Sequence, residues 1–357
     1  MQTTVCVQID LGALSHNLNV VRELCPRSQI MAMVKADAYG HGLLPTVKAL
    51  DAAEGFAVAR LHEAVTLRKA GVSQRILLLA TLLDAPELAL CSELKIDVTA
   101  HDPTSVELIS SQAEKTPLRV WLKLDSGMHR MGLTPRGFAE ADQILRSKRG
   151  ILELVHMTHF SCADHAASTV TDQQVTCFRE CQGDAQSKVS LANSAALISR
   201  PEIHADWVRP GIMLYGINPL DLRRPLPLIP AMTLKARIVA IRDIPAGEHV
   251  GYNGRWLSLR PSKIGTVGVG YGDGYPRHAR NGTPVLVSGV QVPLVGQVSM
   301  DSLAVDLTDI KNVSIGDEVT LWGPDLSAAV VAEFSNTIAY ELFTSVQQRV
   351  SREYVGG

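Results

Sequence analysis

A lysine ends one of the apolar, strand-like segments of the chain. Met33 and Val34 precede Lys35, and tyrosine, glycine and histidine residues follow it in the segment 36–42. Burial lowers the pKa of a lysine and frees the amine lone pair, so Lys35 is a candidate for a covalent bond to an aldehyde. Taken alone, the same position also suits an ordinary salt-bridged lysine.

Polar residues also follow two later strand-like segments. Asn193 and Ser194 come after one of them, and Arg209, Gly211 and Ile212 come at and after the end of the next. The last two loops of a β/α barrel commonly bind phosphate through backbone N–H groups and hydroxyls, a role that suits Ser194, Gly211 and Ile212. A lysine for an aldehyde, a phosphate cradle and an arginine beside it together predict pyridoxal 5'-phosphate (PLP) as cofactor.

These residues need elements that bring strand ends together. The first 210 residues alternate between short β-branched segments and longer segments of helical period, giving eight β/α units counted from the strand before Lys35. A short strand at 5–9 precedes them, and the predicted strands of the eight units cover 30–34, 55–58, 76–79, 96–99, 118–124, 152–157, 189–192 and 207–208. Eight repeats predict an α/β fold with a closed (β/α)8 barrel, whose active site lies at the carboxyl ends of the strands. A doubly wound open sheet is the alternative, but no G-x-G-x-x-G follows an early strand.

A proline-rich segment at 219–230 marks a change in the pattern. Beyond it come short alternating segments with turn signals, which predict a small, mainly antiparallel β domain. The predicted strands there cover 234–242, 245–247, 264–269, 283–288, 292–295, 303–306 and 319–322. We therefore expect a PLP-binding barrel over residues 1–228 and a C-terminal β domain over residues 229–357.

Composition narrows the range of functions. The 357 residues include 34 Lys and Arg against 36 Asp and Glu, and they form no basic stripe of the kind that nucleic acid binding needs. No apolar segment has the length of a membrane span, and the first residues lack the basic and apolar regions of a signal peptide. We expect a cytoplasmic protein without nucleic acid or membrane partners. The six scattered cysteines are expected to be free thiols, mostly buried.

Eight short motifs resemble those of alanine racemases. They run in family order over essentially the whole chain: VKADAYGHG (34–42), KLDSGMHRMG (123–132), THFSCADH (158–165), DWVRPGIMLYG (206–216), VGYNG (250–254), VGYGDGYPR (269–277), VSMD (298–301) and AYEL (339–342). One such motif would be weak evidence for a relationship, whereas the ordered series of eight is highly specific for this family. The resemblance implies a PLP-dependent isomerase that racemises alanine. It also implies a barrel, a β domain and a head-to-tail homodimer whose active sites are shared between subunits.

The resemblance assigns catalytic roles to two residues. Lys35 matches the lysine that carries PLP and takes the proton of D-alanine. Tyr252 matches a tyrosine, contributed by the partner subunit, that takes the proton of L-alanine. Racemisation removes a proton from one face of a planar carbanion and returns one on the other face, so two bases must flank the cofactor. Arg130 and Met300 match the positions that bind the substrate carboxylate.

The remaining matches lie around the cofactor and the substrate. The implied phosphate and cofactor contacts are Tyr39, Ser194, Gly211, Ile212 and Tyr340. His159 resembles a histidine against the cofactor ring, and Arg209 an arginine at the pyridine nitrogen. Lys123 matches a lysine that some members carry in carbamylated form. Tyr271 and Asp301 match positions around the substrate's access route.

Two positions depart from the family pattern. Gln297 stands where many members have an arginine, which changes the ion pairs expected there. Ser126 replaces a common threonine and keeps the hydroxyl group.

Different functions stay open from the residues alone. His156, His159 and His165 with Asp164 could form a metal site and give a metal-dependent hydrolase, but the H-x-H pair that such a barrel needs after its first strand is absent, and we expect no metal. A noncatalytic PLP-binding protein with a single barrel and a PLP-dependent decarboxylase with the same two domains are also compatible with part of the pattern.

The substrate could be serine, because a hydrophobic pocket rejects one added hydroxyl only weakly. The role could be biosynthetic, supplying D-alanine for the cell wall, or catabolic.

Overall fold

The chain folds into two main β structures. The computed structural model describes residues 4–79, 82–165, 167–183, 186–220 and 226–357. One of the two β structures is a closed barrel of eight strands, and the other is an eight-stranded sheet formed mostly by the C-terminal third of the chain. The predicted fold class, a (β/α)8 barrel followed by a mainly antiparallel β domain, is confirmed. No helix within the described ranges is long and apolar enough to cross a membrane.

A short strand and a helix precede the barrel. Strand β1 (Val5–Asp10) leads directly into helix α1 (Leu11–Leu24). The Asp10 carboxylate accepts a 2.9 Å hydrogen bond from the Ala13 N–H group, which satisfies one of the free donors at the start of the helix.

The barrel strands follow one another in sequence order, and each is parallel to the next. They are β2 (Gln29–Met33), β3 (Gly55–Val58), β4 (Arg75–Leu78), β5 (Ile96–Ala100), β6 (Leu118–Lys123), β7 (Ile151–Met157), β8 (Lys188–Asn193) and β9 (Trp207–Arg209). The barrel closes where Gln29 pairs with Trp207 and Ile30 with Val208. Most of these strands are buried on both faces, which explains their nearly continuous apolar sequences.

Helical segments follow the strands: α2 (Lys35–Tyr39), α3 (Leu43–Ala49), α4 (Leu61–Lys69), α5 (Ala85–Glu93), α6 (Pro103–Gln112), α7 (Pro135–Arg146), α8 (Val170–Gln182) and α9 (Ser194–Ser199). The longer ones cover the outside of the barrel, whereas α2 is a short left-handed turn at the carboxyl end of β2. Asp84, Asp102 and Thr134 cap α5, α6 and α7, each ahead of a proline in the first turn.

Large side chains fill the amino end of the barrel. The rings of Trp121 and Trp207 meet edge to face at 5.7 Å, and the Arg75 guanidinium lies over both. Arg75 pairs with the buried Asp97 and with Glu153, the latter at 2.7 Å. Because this end is packed, a ligand must approach the barrel from the carboxyl ends of the strands.

The C-terminal sheet has the order β13, β16, β15, β14, β17, β10, β1, β18. The strands that the C-terminal part contributes to this sheet are β10 (Met232–Ile244), β13 (Ser262–Val267), β14 (Pro284–Val287), β15 (Val290–Val295), β16 (Leu303–Asp306), β17 (Glu318–Trp322) and β18 (Ser351–Val355). Strands β11 (His249–Val250) and β12 (Trp256–Leu257) form a separate two-stranded ribbon. Helices α10 (Ala328–Phe334) and α11 (Ala339–Ser345) lie between β17 and β18. Strand β1 pairs antiparallel with β10 and parallel with β18, so the first strand of the chain completes the C-terminal sheet.

Strands β11, β12 and β18 were not predicted, and two stated predictions are wrong in detail. Residues 245–247 form a turn rather than a strand, because Gly247 has a φ of 88° and its N–H group bonds the Ser258 carbonyl across the ribbon. All six cysteines are free thiols as predicted, but only Cys25 and Cys91 are buried. The other four are partly exposed, so the expectation that most are buried is wrong.

Candidate active site

The carboxyl ends of the barrel strands surround a cavity of about 990 Å³. Nine of the predicted site residues line it: Lys35, Tyr39, Lys123, Arg130, His159, Ser194, Arg209, Gly211 and Tyr340. The first eight lie at barrel strand ends or in the loops that follow, and Tyr340 lies in α11. Ile212 is fully buried next to Gly211. Residues that are scattered along the sequence therefore converge on one cavity.

A left-handed turn carries Lys35. The φ angles of Ala36, Asp37, Ala38 and Tyr39 are 55°, 54°, 52° and 53°. Left-handed backbone costs a residue with a side chain about 1–2 kcal/mol, so four such residues in succession need support from their surroundings.

One side chain supports this turn at its first residue. The Glu63 carboxylate accepts a 2.7 Å hydrogen bond from the Ala36 N–H group, and it is 7% exposed. Sequence reasoning missed Glu63. The available signal was its place as the third residue of α4, where an acidic side chain can satisfy free N–H groups.

Cationic groups dominate the electrostatics of the cavity. Burial, and then the charge of Arg130, lowers the pKa of Lys35. Burial together with Arg209, Arg130 and Lys35 lowers the pKa of Lys123 to about 8. The same kind of environment holds the pKa of His159 well below its usual value. A cavity with this donor set favours an anionic ligand, because such a ligand relieves the repulsion among the cations.

Arg209 reaches the cavity from the end of β9 and is 3% exposed. One terminal nitrogen donates to the Ser190 carbonyl at 2.8 Å and to the Ser190 hydroxyl at 2.6 Å. The other donates to the Thr158 carbonyl at 2.5 Å and lies 3.5 Å from Nδ1 of His159. Burial lowers the pKa of Arg209 to about 10, so the guanidinium stays protonated near neutral pH. These partners are uncharged and leave its positive charge uncompensated.

Hydroxyl and amide groups gather at the ends of β8 and β9. Oγ of Ser194 accepts a 2.8 Å hydrogen bond from the Gly211 N–H group. A Cβ atom at Gly211 would lie 2.7 Å from Oη of Tyr39, so only glycine leaves this space free. Burial raises the pKa of Tyr39 and raises that of Tyr340 to about 12, so both side chains stay protonated donors. Such a set of neutral donors is suited to a phosphate group.

Four predicted site residues of the β domain, Tyr252, Tyr271, Met300 and Asp301, do not line this cavity. Tyr252, in the segment between β11 and β12, is 67% exposed, and Met300 is 53% exposed. Tyr271 is also exposed, and its N–H group donates to the Ser299 carbonyl at 3.0 Å. That bond holds the Tyr271 loop beside the loop that carries Met300 and Asp301. Within one chain, the residues predicted for the site therefore lie in two places, at the barrel mouth and in an exposed part of the β domain.

The remaining residues named from the sequence are held by hydrogen bonds and do not form a metal site within the described ranges. Within the described ranges, no three His, Cys, Asp or Glu side chains are grouped to hold a metal ion. His156 is a core histidine, with Nε2 at 2.7 Å from an Asp142 oxygen. Oγ of Ser126 lies 2.7 Å from Oγ1 of Thr158. The side-chain amide of Gln297 donates a hydrogen bond to the Arg277 carbonyl.

Comparison with protein families gives two matches that together span most of the chain. The model described as alanine racemase, N-terminal domain, matches residues 9–219. The model described as alanine racemase, C-terminal domain, matches residues 231–354.

Individual relatives agree with these matches. The chain is 44% identical to the catabolic alanine racemase of Pseudomonas putida, over 98% of each protein. It superposes on the crystal structure of the biosynthetic alanine racemase of Pseudomonas aeruginosa with a TM-score of 0.96 and 45% identity, over 99% of this chain and 100% of that one. It is also similar to the alanine racemase of Bartonella henselae, crystallised with covalently bound pyridoxal phosphate. Here the TM-score is 0.91 with 30% identity, over 99% of this chain and 100% of that one.

Proposed function

The chain belongs to the alanine racemase family, and on this premise we propose that it interconverts L-alanine and D-alanine with PLP and two bases. The observation that carries the proposal is the convergence of Lys35, Arg209 and the Ser194–Gly211 pair on one cavity. An amine, a buried guanidinium and a set of neutral donors are the groups that a phosphorylated aldehyde needs.

The donor set fits PLP on physical grounds. The space at Gly211 that a Cβ atom would fill lies beside Ser194 and Tyr39, so the phosphate belongs there, with Tyr340 and the Ile212 N–H group nearby. His159 would lie against the ring and Arg209 at the pyridine nitrogen. When bound, PLP withdraws electrons from the α-carbon of an amino acid and so acidifies its α-hydrogen.

Lys35 is the proposed base for D-alanine. Its neutral amine at Nζ takes the α-proton, and burial with the nearby Arg130 charge makes that neutral form more accessible. The same Nζ, once protonated, returns a proton to form D-alanine in the reverse direction. Arg130 has a second role in the proposal, since a guanidinium can hold the substrate carboxylate with two hydrogen bonds.

Tyr252 is the proposed base for L-alanine, and it would act across a subunit boundary. Its 67% exposure and its place outside the cavity support a head-to-tail homodimer in which Tyr252 of the partner subunit covers the barrel mouth. Exposed apolar side chains beside one another commonly mark such contacts, and Tyr271 and Met300 are exposed as well. The Gly251 backbone before Tyr252 lies close to Gln297, and the Tyr271 N–H group bonds the Ser299 carbonyl, so all three residues belong to one part of the β domain.

We propose that the barrel domain covers residues 1–228 and the β domain residues 229–357, with strand β1 of the first part paired into the sheet of the second. The barrel would hold the cofactor, and the β domain would complete the partner's site.

Alanine is the favoured substrate, and both physiological roles have support. Relatives described as biosynthetic and as catabolic alanine racemases are 46% and 44% identical to the chain. The deciding experiment incubates the purified chain with enantiopure alanine, serine and larger amino acids and measures the ratio of enantiomers over time. We expect alanine to racemise fastest, with serine slower. Preference for a larger side chain, or no racemisation at all, would reject the proposal.

A further inference from the structure

One buried carboxylate connects two neighbouring barrel loops next to Lys35. Oε1 of Glu63 accepts the 2.7 Å hydrogen bond from the Ala36 N–H group. Oε2 accepts bonds from the N–H groups of Ala59, at 3.0 Å, and Arg60, at 2.9 Å, just beyond the end of β3. Strands β2 and β3 are adjacent in the barrel. Glu63 therefore fixes the position of the first residue after Lys35 relative to the next strand of the barrel.

The left-handed turn needs this anchor. Four successive residues with side chains adopt an unfavourable conformation there, so the turn is not stable on its own. Hydrogen bonds from N–H groups to a carboxylate are among the strong ones in proteins, and burial excludes competing water. Because Ala36 directly follows Lys35, movement of its N–H group would move the backbone of the lysine.

Glu63 also opposes the charges that surround the lysine. Arg130 acts with burial to lower the pKa of Lys35, and Glu63 acts in the other direction. Lys123, the last residue of β6, and His159, just after β7, line the same cavity, and Lys35 lowers the pKa of each. Glu63 is thus a buried negative charge beside a predominantly cationic cavity.

We propose that Glu63 is a positioning residue, whose carboxylate holds the turn that carries Lys35 and balances the cations around the lysine. The kinetic part of this inference rests on the proposed function. The structural part does not, because the turn can be observed without turnover.

The test uses Glu63→Gln in the full-length, PLP-loaded protein. The amide has the size of the carboxylate but has only one acceptor oxygen and no charge, so at least one set of N–H groups loses its acceptor. Glu87→Gln is the matched control. Glu87 is also the third residue of a barrel helix, α5, and its carboxylate accepts a bond from the Asp84 N–H group at 3.1 Å, away from the cavity.

Amide hydrogen exchange, followed by mass spectrometry, reports on the anchor directly. The remaining amide oxygen can serve either Ala36 or the Ala59 and Arg60 pair, so we expect exchange to become about tenfold faster in peptides covering residues 34–42, 58–63 or both in Glu63→Gln, and to stay unchanged in Glu87→Gln. Unchanged exchange in both peptides of Glu63→Gln would overturn the anchor, whether or not the chain racemises an amino acid.

Steady-state kinetics test whether Glu63 positions Lys35 for the reaction and balances the charges around it. In the D-alanine direction, we expect kcat of Glu63→Gln to fall about 10- to 100-fold with a smaller change in KM, because misplacement of a catalytic group mainly affects the chemical step. Loss of the negative charge lowers the pKa of Lys35, so the rise of kcat with pH should move to lower pH. Glu63→Asp keeps the charge and should restore the wild-type pH profile even if kcat stays reduced. Wild-type kcat and pH dependence in Glu63→Gln would overturn the positioning role. Absence of racemisation by the wild type would instead reject the proposed function, and the exchange result would still decide whether Glu63 anchors the turn.

Discussion

The Gly211 N–H group donates a 2.8 Å hydrogen bond to Oγ of Ser194 and so joins the ends of the last two barrel strands. The bond uses the Gly211 N–H group and fixes the Ser194 hydroxyl, whose own proton remains a donor, and the missing side chain at Gly211 leaves Oη of Tyr39 free to face the same space. The proposed phosphate site depends on all three groups.

Replacement of Gly211 by alanine should therefore weaken cofactor binding. The new Cβ atom would lie 2.7 Å from Oη of Tyr39, which must move away and carry its donor with it. Loss of one hydrogen bond to a charged group costs roughly 1.5–3 kcal/mol, so we expect the Kd for PLP to rise by a factor of about 10 to 100. Absorbance titration of the cofactor-free protein measures this. Gly137→Ala, in α7 and outside the cavity, is the control and should bind PLP normally.

Lys35 should carry the cofactor covalently. Borohydride reduction of the PLP-loaded protein, followed by peptide mapping, should place the adduct on the peptide that contains Lys35. Lys35→Ala should lose the covalent adduct and reduce racemisation by a factor of about 10²–10⁴ or more. Lys123 lines the same cavity and serves as the internal comparison, because Lys123→Met should keep the adduct. An adduct found on Lys123 would reverse the assignment of the two lysines.

Lys123 should make the stability of the cofactor-free protein depend on pH. Its pKa is about 8 in the folded state, against 10.5 for an ordinary lysine, so the unfolded chain holds the proton more tightly. Between these values the unfolded state binds more protons, and stability rises with pH. Below about pH 8 the buried, charged Lys123 lowers the free energy of unfolding by its full amount, which at about 1.4 kcal/mol per pKa unit is roughly 3 kcal/mol.

Lys123→Met should remove that cost. We expect the cofactor-free variant to be more stable than the wild type near pH 7 by roughly 2–3 kcal/mol, in buffer free of carbon dioxide. The difference should shrink as the pH approaches 10.5, where both the folded and unfolded wild type lose the proton. Urea unfolding at several pH values measures it. The control is Lys69→Met at the exposed end of α4, and a constant difference across the pH range would contradict the prediction.

The barrel could be predicted from local patterns, and the turn at Lys35 could not. Parallel strands buried on both faces have apolar, β-branched sequences, so each strand is visible in its own segment. The left-handed turn consists of Ala36, Asp37, Ala38 and Tyr39, of which only aspartate is a type enriched in that conformation. Contacts made elsewhere in the chain, including that of Glu63, determine its backbone.

The pairing of strands that are distant in sequence could not be predicted either. The strand at 5–9 could be predicted, but its pairing of Val5 with Ala236 and of Cys6 with Ser351 joins segments that are far apart in sequence. In the same way, strand-end positions predicted the groups that line the cavity, whereas the exposure of Tyr252 is visible only in the folded chain. Local pattern predicts elements, and only the fold shows which side chains meet and which stay exposed.

Tyr252 and Lys35 should complement each other between subunits. Tyr252→Phe removes the phenol group but keeps most of the packing, so PLP binding should survive. Exchange of the α-hydrogen of L-alanine should fall about 10²–10⁴-fold. Exchange from D-alanine, which relies on Lys35, should persist better. Both measurements follow deuterium incorporation by NMR in single-enantiomer assays.

Mixing the two inactive variants tests whether one site uses residues of two chains. In a dimer of one Lys35→Ala and one Tyr252→Phe subunit, one site has both defects and the other has both wild-type bases. Random exchange makes about half of the dimers mixed, each with one intact site of two, so activity should return to about a quarter of wild type. Lys35→Ala mixed with Arg130→Ala is the matched control. Both of those residues line the same cavity of a single chain, so every site in the mixture lacks one of them and no activity should return. Recovery in the control, or none with Tyr252→Phe despite demonstrated subunit exchange, would mean that the site is not divided between subunits in this way.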